Sequence, residues 1–395
     1  MNKYATEALS ANECDAAVIT IDRIEAYAIS ASPSVGPISS LGTMPVRNGV
    51  VLAITSKDGV TGWGEIWCNF PPRGNLTRLN LLQDVIAPYI LGKTYNNFAH
   101  CRQQIEDLAI RMEIHTGEYG PFTHCFAGID TALADLAARS VNLSLANFLS
   151  SKPLTHVPVY ASTPNVDSLE ESLNRIMDSG HQGIKLKVGL DHKTDTKLLE
   201  HVHKITEGRL SLMVDANQNW NVEDAINTLA SLSDYGIDFV EEPLRADVPM
   251  SHWTRLSEAT DIPIAGGENI TSLASFINYM DNGKLKVVQP DVAKWGGVSG
   301  AIEIGKQSES RDVMCAMHYM GSGLGLAASI HTLAAIGGAG PVELDSNPNP
   351  LRTDLGEINL NITNGTLPVP AGPGHGFIPD ASALKDLTVE SFESR

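Results

Sequence analysis

Residues 183–189 read GIKLKVG, 212–220 LMVDANQNW, 239–243 FVEEP, 262–270 IPIAGGENI and 287–297 VVQPDVAKWGG. Each is a short apolar run that ends in ionisable residues. VPVYAS at 157–162, VMCAMH at 313–318 and PVELD at 341–345 continue the series on either side. The runs start roughly 22–28 residues apart, the length of one βα unit with its loops. Helical spacing fills the gaps at 167–179, 193–206, 222–234, 271–281, 298–309 and 324–336, with Asp167, Asn221, Thr271 and Ser299 placed as N-caps. Eight strands alternating with helices predict an α/β fold, a closed (β/α)-barrel of parallel strands. A doubly wound open sheet is the alternative, and no strand–GxGxxG–helix unit supports it.

Upstream, VVLAIT (50–55) and VTGWGEI (60–66) flank Lys57-Asp58-Gly59, a hairpin signal. Helical spacing follows at 79–91, 98–113 and 124–139. The reading is therefore a short leader over 1–17, an α+β domain over 18–150 and a barrel over 155–353. A Gly/Pro-rich segment over 354–395 is expected to pack back on the first domain. A length of 395 residues suits one barrel plus one smaller domain.

Composition narrows the function. The formal charge is −18, from 28 Lys+Arg against 46 Asp+Glu. That disfavours nucleic acid or an anionic membrane as partner. No apolar run reaches the ~20 residues of a membrane span. The cysteines, Cys14, Cys68, Cys101, Cys125 and Cys315, form no C-x-x-C, so a reduced cytoplasm is expected.

Barrel chemistry sits at the C-terminal ends of the strands. Here those ends carry Lys185 and Lys187, Asp215 and Asn217, Glu241 and Glu242, Glu268, Asp291, His318 and Glu343. A purely structural barrel has no reason to gather charge there, because burying unpaired charge is expensive. Asp215, Glu241 and Glu268 end three successive strands. Three carboxylates without thiolate or adjacent imidazole favour a hard cation, Mg²⁺ before Ca²⁺ or Zn²⁺. Lys185 and Lys187 share one strand face. Two facing ammonium groups are expected to lower a lysine pKa, leaving one to anchor a carboxylate and the other to act as base. Asp291 beside His318 fits a carboxylate-oriented general base. Glu343 is expected to stay protonated and donate a hydrogen bond to a developing oxyanion.

Taken in order, GIKLKVG, VDANQNW, VEEPL, GGENI, QPDVAKWGG, CAMH and VELD resemble the enolase superfamily, and within it the mandelate racemase group. The TGWGE hairpin and PGHG tail resemble that family's capping domain. The resemblance implies Asp215, Glu241 and Glu268 as ligands of Mg²⁺. It implies Lys187 as base on one substrate face and His318, paired with Asp291, as acid/base on the other. Lys185, Glu343 and Asn217 would contact the substrate. A family branch that carries lysine in place of Asp291 is not matched, since Lys294 lies three residues on. His375 in PGHG departs from the family's usual apolar residue.

The expected activity is abstraction of the proton α to a carboxylate, with dehydration of an acid sugar ahead of racemisation or epimerisation of a 2-hydroxy acid or amino acid derivative. A Schiff-base barrel using Lys185 or Lys187, and a non-catalytic barrel, are the rivals. The expected partner is a small carboxylate, and the resemblance implies a homo-oligomer. Loops 31–47 and 67–76 are expected to close over the mouth, with Arg47, Trp67 and Arg73 as substrate contacts. Gly321-Ser-Gly-Leu-Gly325 reads as a tight loop rather than a phosphate site. Gly92-Lys93-Thr94 lacks the first P-loop glycine, and His201 and His203 read as solvated.

Overall fold

The alternating pattern folds as a closed parallel barrel. The computed structural model describes residues 18–34, 36, 38–39, 42–164, 169–189 and 192–395. The expected leader and the Asp167 cap lie outside them. The barrel strands, 1 to 8 in chain order, are His156–Ser162, Gly183–Lys187, Ser211–Asp215, Ile237–Glu241, Ile264–Gly266, Val287–Val288, Met314–Cys315 and Val342–Asp345. They pair in the order 7-6-5-4-3-2-1-8, and a parallel bridge between Met317 and Val342 closes the ring.

A helix follows each of strands 1 to 7. One of them, Met250–Glu258, falls where the sequence shows no clear helical run. Its polar sequence, MSHWTRLSE, buries only Trp253 and Leu256. Strand 8 is followed by the single turn Pro350–Thr353 and then by the tail. Asn221 caps its helix through the backbone N–H of Asp224. The other two caps are displaced: Ser272 serves instead of Thr271, and Gly296 precedes the helix that contains Ser299.

Side chains alternate across each strand, so the barrel interior is stacked in layers. Tyr160, Met213, Phe239, Ala265, Val287 and Ala316 form an apolar plug. Two residues further along the strands, Ser162, Asp215, Glu241, Gln289 and His318 form a polar layer above it. The charged positions are thus held on a dry, packed floor.

The first domain is an antiparallel sheet, in the order Thr388–Ser394, Ile19–Ala31, Arg47–Ser56, Thr61–Trp67, backed by helices Phe98–Thr116 and Tyr119–Ser140. The tail therefore supplies an edge strand, preceded by helix Ala381–Leu387, where the sequence shows no helix–strand unit. The Thr61–Trp67 strand lies hard against the second helix. A Cβ on Gly64 would stand 2.1 Å from the carbonyl oxygen of Gly128. The core here includes Ile24, Leu52, Ile54, Phe126 and Leu133, and it continues into Val298 and Ile302 of the barrel helix Gly297–Glu309. Apolar burial of this kind, about 25 cal/mol per Å², fixes the cap on the barrel. Polar contacts add orientation. Asp130 accepts from the N–H of Ser299 at the start of that helix, and from Arg102 Nε, at 2.9 and 2.8 Å. Among the described residues, no helix is long and apolar enough to cross a membrane.

Candidate active site

The strand-end residues converge at the mouth beneath the cap. A cavity of about 90 Å³ is lined by Lys185, Lys187, Asp215, Asn217, Glu268, His318 and Glu343, with Thr163 beside them. Its roof is apolar: Met44, Trp67 and Phe70 from the cap, and Met320 from the loop after strand 7. A larger cavity, about 930 Å³, opens at the opposite end of the barrel among residues such as Pro263, Lys286 and Gly338. It is remote from the charged layer.

Each expected metal ligand is paired with a lysine. Lys187 Nζ donates to Asp215 Oδ2, and Lys185 Nζ to Glu241 Oε2, both at 2.5 Å. Lys294 Nζ donates to Glu268 Oε2 at 2.7 Å and to Asn269 Oδ1 at 2.9 Å. Three cations thus neutralise three carboxylates. With the side chains so engaged, no group of three carboxylate, imidazole or thiol ligands among the described residues encloses a metal-sized point. The donor chemistry nevertheless suits a hard cation. The ligand atoms are oxygens, and the buried Glu241 Oε1 and Asn217 Oδ1 have no hydrogen-bond partner. Asn217 donates its backbone N–H to Asp215 Oδ1 at 2.8 Å, and its Nδ2 faces Oδ2 of the same carboxylate.

The environment shifts these groups strongly. Burial and the neighbouring acids push Glu241 up to about 7, although Lys185 opposes them. Burial, with Glu268 and Asp215 nearby, raises Glu242 to about 8. Burial would also raise Glu268, but Lys294 and His318 outweigh it and hold that carboxyl well below its usual range. Glu242 accepts from Gln218 Nε2 and Asn269 Nδ2 and so braces the strand-end loops. Asn217, Gln218 and Glu242 all have left-handed backbones, with φ of 45°, 64° and 40°. Such backbone costs of order 1–3 kcal/mol per residue and gathers at working sites.

His318 Nδ1 lies 2.7 Å from Asp291 Oδ2, so the expected pair forms. Its Nε2 stands 3.5 Å from Glu268 and 3.8 Å from Glu343. Burial alone would lower the imidazole, but Glu268, Glu343 and Asp291 together raise it to about 9. Lys187 stands on strand 2 and His318 at the end of strand 7. In the closed ring they are separated by strands 8 and 1 on one side and 3 to 6 on the other, which places them across the mouth.

Two expectations on charge are corrected. Lys185 does lower Lys187, but neither lysine is depressed overall. Burial lowers both, but Glu241 and Glu343 around Lys185, and Asp215 beside Lys187, outweigh it and raise them. Glu343 is not held protonated. Lys185 lies 2.8 Å from its Oε1, and Ser162 Oγ donates to the same atom. Burial would raise Glu343, but Lys185 and His318 pull its carboxyl below the ordinary value.

The expected cap contacts divide. Trp67 lines the cavity and lies 4.6 Å from Lys294 Nζ as a cation–π partner. Arg47 is consumed in a buried ion pair with Asp345. Arg73 is exposed, with a left-handed backbone at the start of helix Gly74–Leu81. Lys294 is the site residue that sequence reading passed over. Its position three residues beyond Asp291 spans one turn, closed by Lys294 N–H to Asp291 O at 3.1 Å. That turn brings its ammonium group back to Glu268.

The chain and its fold match known proteins. Residues 168–383 match the family described as Enolase C-terminal domain-like, and 23–150 match the Mandelate racemase / muconate lactonizing enzyme, N-terminal domain. The chain belongs to the enolase superfamily, with the two-domain organisation of the mandelate racemase and muconate lactonizing enzymes. It is similar to a D-galactarolactone cycloisomerase of Agrobacterium fabrum, 26% identical over 86% of this chain and 91% of that one. An L-Ala-D/L-Glu epimerase of Bacillus subtilis is 28% identical over 92% and 98%. An arabinonate dehydratase of Saccharolobus solfataricus is 25% identical over 88% and 91%. A mandelate racemase/muconate lactonizing enzyme structure from Bordetella bronchiseptica superposes with a TM-score of 0.86 at 35% identity, over 94% and 100% of the two chains. A Streptomyces coelicolor racemase with bound magnesium superposes with a TM-score of 0.82 at 25% identity, over 93% and 100%.

Proposed function

We propose that this protein is a Mg²⁺-dependent enzyme that removes the proton α to a carboxylate, and that it dehydrates an acid sugar to a 2-keto-3-deoxy acid. The observation that carries this reading is the placement of Lys187 and the His318–Asp291 pair across one mouth from each other, over Asp215, Glu241 and Glu268. These three carboxylates would hold the ion, which when bound supplies positive charge to the substrate carboxylate. Lys185 would anchor that carboxylate, with Glu343 and Asn217 orienting it. Lys187 or the neutral His318 takes the α-proton. A protonated His318, held by Asp291, can then deliver a proton to a departing β-hydroxyl, so that water leaves.

Two of the relatives described above are named for acting on sugar-derived acids, which supports this substrate class. A second reading, racemisation or epimerisation, is favoured by the roof. Met44, Trp67, Phe70 and Met320 offer apolar surface rather than partners for a polyol. A Schiff base on Lys185 is disfavoured, because this lysine is buried between Glu241 and Glu343, which raise it and keep it charged and weakly nucleophilic.

A library of acid sugars and 2-hydroxy acids, incubated with Mg²⁺ in D₂O, tests the reading. Keto acid that appears without inversion supports dehydration. Deuterium at Cα with inversion, and no keto acid, replaces dehydration by the second reading. No loss of the α-proton from any acid, with a folded protein and saturating Mg²⁺, contradicts both.

A further inference from the structure

The run Gly321-Ser-Gly-Leu-Gly325 opens the helix Gly323–Ile336, a few residues beyond His318. The group at that helix start is a side chain of the cap. Glu65, on the strand Thr61–Trp67, accepts from the backbone N–H of Ser322 through Oε1 at 2.8 Å. Its Oε2 accepts from Ser322 Oγ at 2.7 Å and from the N–H of Gly325 at 2.8 Å. A Cβ on Gly321 or Gly325 would stand 2.5 Å from a Glu65 carboxylate oxygen, so the glycines are what let the carboxylate in. Glu65 is only 3% exposed. Among the described residues no salt bridge to a lysine or arginine is seen, and burial raises its pKa against these donors. A buried carboxylate held by neutral donors alone is costly, and here it is spent on a single loop.

That loop carries the acid/base. Tyr319 Oη donates to the carbonyls of Gly321 and Ser322, each at 2.6 Å. Asn69 of the cap donates to Met320 O at 2.8 Å. The cap therefore grips residues 319–322 from two sides. Across the mouth, Lys187 rests on Asp215 of the neighbouring barrel strand.

We propose that Glu65 is a positioning residue for His318: it locks the 318–322 loop beneath the cap, so that its loss impairs the His318 side of the chemistry and spares the Lys187 side. This rests on the two-base reading above.

The test uses the full chain with Mg²⁺ and two variants, Glu65→Gln and the milder Ser322→Ala. Amide hydrogen exchange followed by mass spectrometry needs no substrate. Peptides over 318–326 are expected to exchange roughly tenfold faster in Glu65→Gln, with those over 183–189 unchanged. With an acid that the wild type enolises in D₂O, exchange at the face served by His318 is expected to fall roughly tenfold or more, while exchange at the Lys187 face stays within about twofold. Ser322→Ala shifts both readouts the same way by less, and it carries the test alone if Glu65→Gln does not fold. Unchanged protection over 318–326 overturns the proposal, even where no substrate is known. Equal loss at both faces also overturns it, because Glu65 would then support the fold rather than the loop. If no acid is enolised by the wild type, the functional reading fails while the amide-exchange result still decides the role of Glu65 in holding the loop.

Discussion

Single residues here are decided by the charge that faces them. Lys185, Lys187 and Lys294 each meet a carboxylate, and all three are raised despite burial. Lys187→Met is expected to lower α-proton exchange at one substrate face by on the order of 10²–10⁴, while exchange at the other face survives through His318. His318→Asn is expected to do the reverse. NMR of the substrate in D₂O separates the two, and equal loss at both faces in either variant would contradict independent bases. Away from the mouth, Glu106 is nearly fully buried, lies 3.6 Å from Arg102, and has no hydrogen-bond partner for either carboxylate oxygen. Burial raises it to about 7, against 4.5 for a free glutamate. Between these values the folded state holds more protons than the unfolded, so Glu106 weakens the fold as pH rises from about 4.5 to 7. Glu106→Gln is therefore expected to stabilise the protein at pH 8, by at most about 3 kcal/mol, with the gain shrinking toward pH 5. A gain that stays constant across pH, read from urea midpoints, would rule out a titration effect.

At the scale of elements, what the sequence discloses depends on how local the signal is. The barrel strands are legible because seven of the eight apolar runs end in an ionisable residue, and period-two alternation then places Lys185 with Lys187. The helix Val222–Leu232 is legible with its cap Asn221. Asn221→Ala is expected to cost about 1 kcal/mol in denaturant stability without changing exchange at either substrate face. A selective loss of turnover would show that the loop after strand 3 is coupled to that cap. Other features have no local signature. Met250–Glu258 is too polar to display an apolar stripe. Glu65 meets Ser322 across 257 positions of sequence, and only the folded cap reveals that the glycine run receives a carboxylate. Lys294 could have been found by asking which cations lie within one turn of a strand-end acid. The charge states of Lys185 and Glu343 were beyond sequence, because each depends on which partner the other holds.

The whole molecule joins a barrel that carries the charged mouth to a cap that roofs it. One apolar core runs from Leu133 of the cap to Ile302 of the barrel. Leu133→Ala is expected to cost about 2–5 kcal/mol, and because that core is shared it is expected to loosen cap and barrel together in one unfolding transition. Two separated transitions by calorimetry would contradict the shared core. The cap also supplies Trp67 over Lys294 and Glu65 under the His318 loop, so the site is a property of both domains. The activity proposed for it is Mg²⁺-dependent removal of an α-proton from a carboxylate. Proton NMR of an acid-sugar library in D₂O, with protein and Mg²⁺ and then with excess EDTA, tests it most directly. The expected result is loss of one α-proton signal with Mg²⁺, as keto acid forms, and no loss with EDTA. Turnover that persists in EDTA, with a lysine trapped by borohydride, would contradict it.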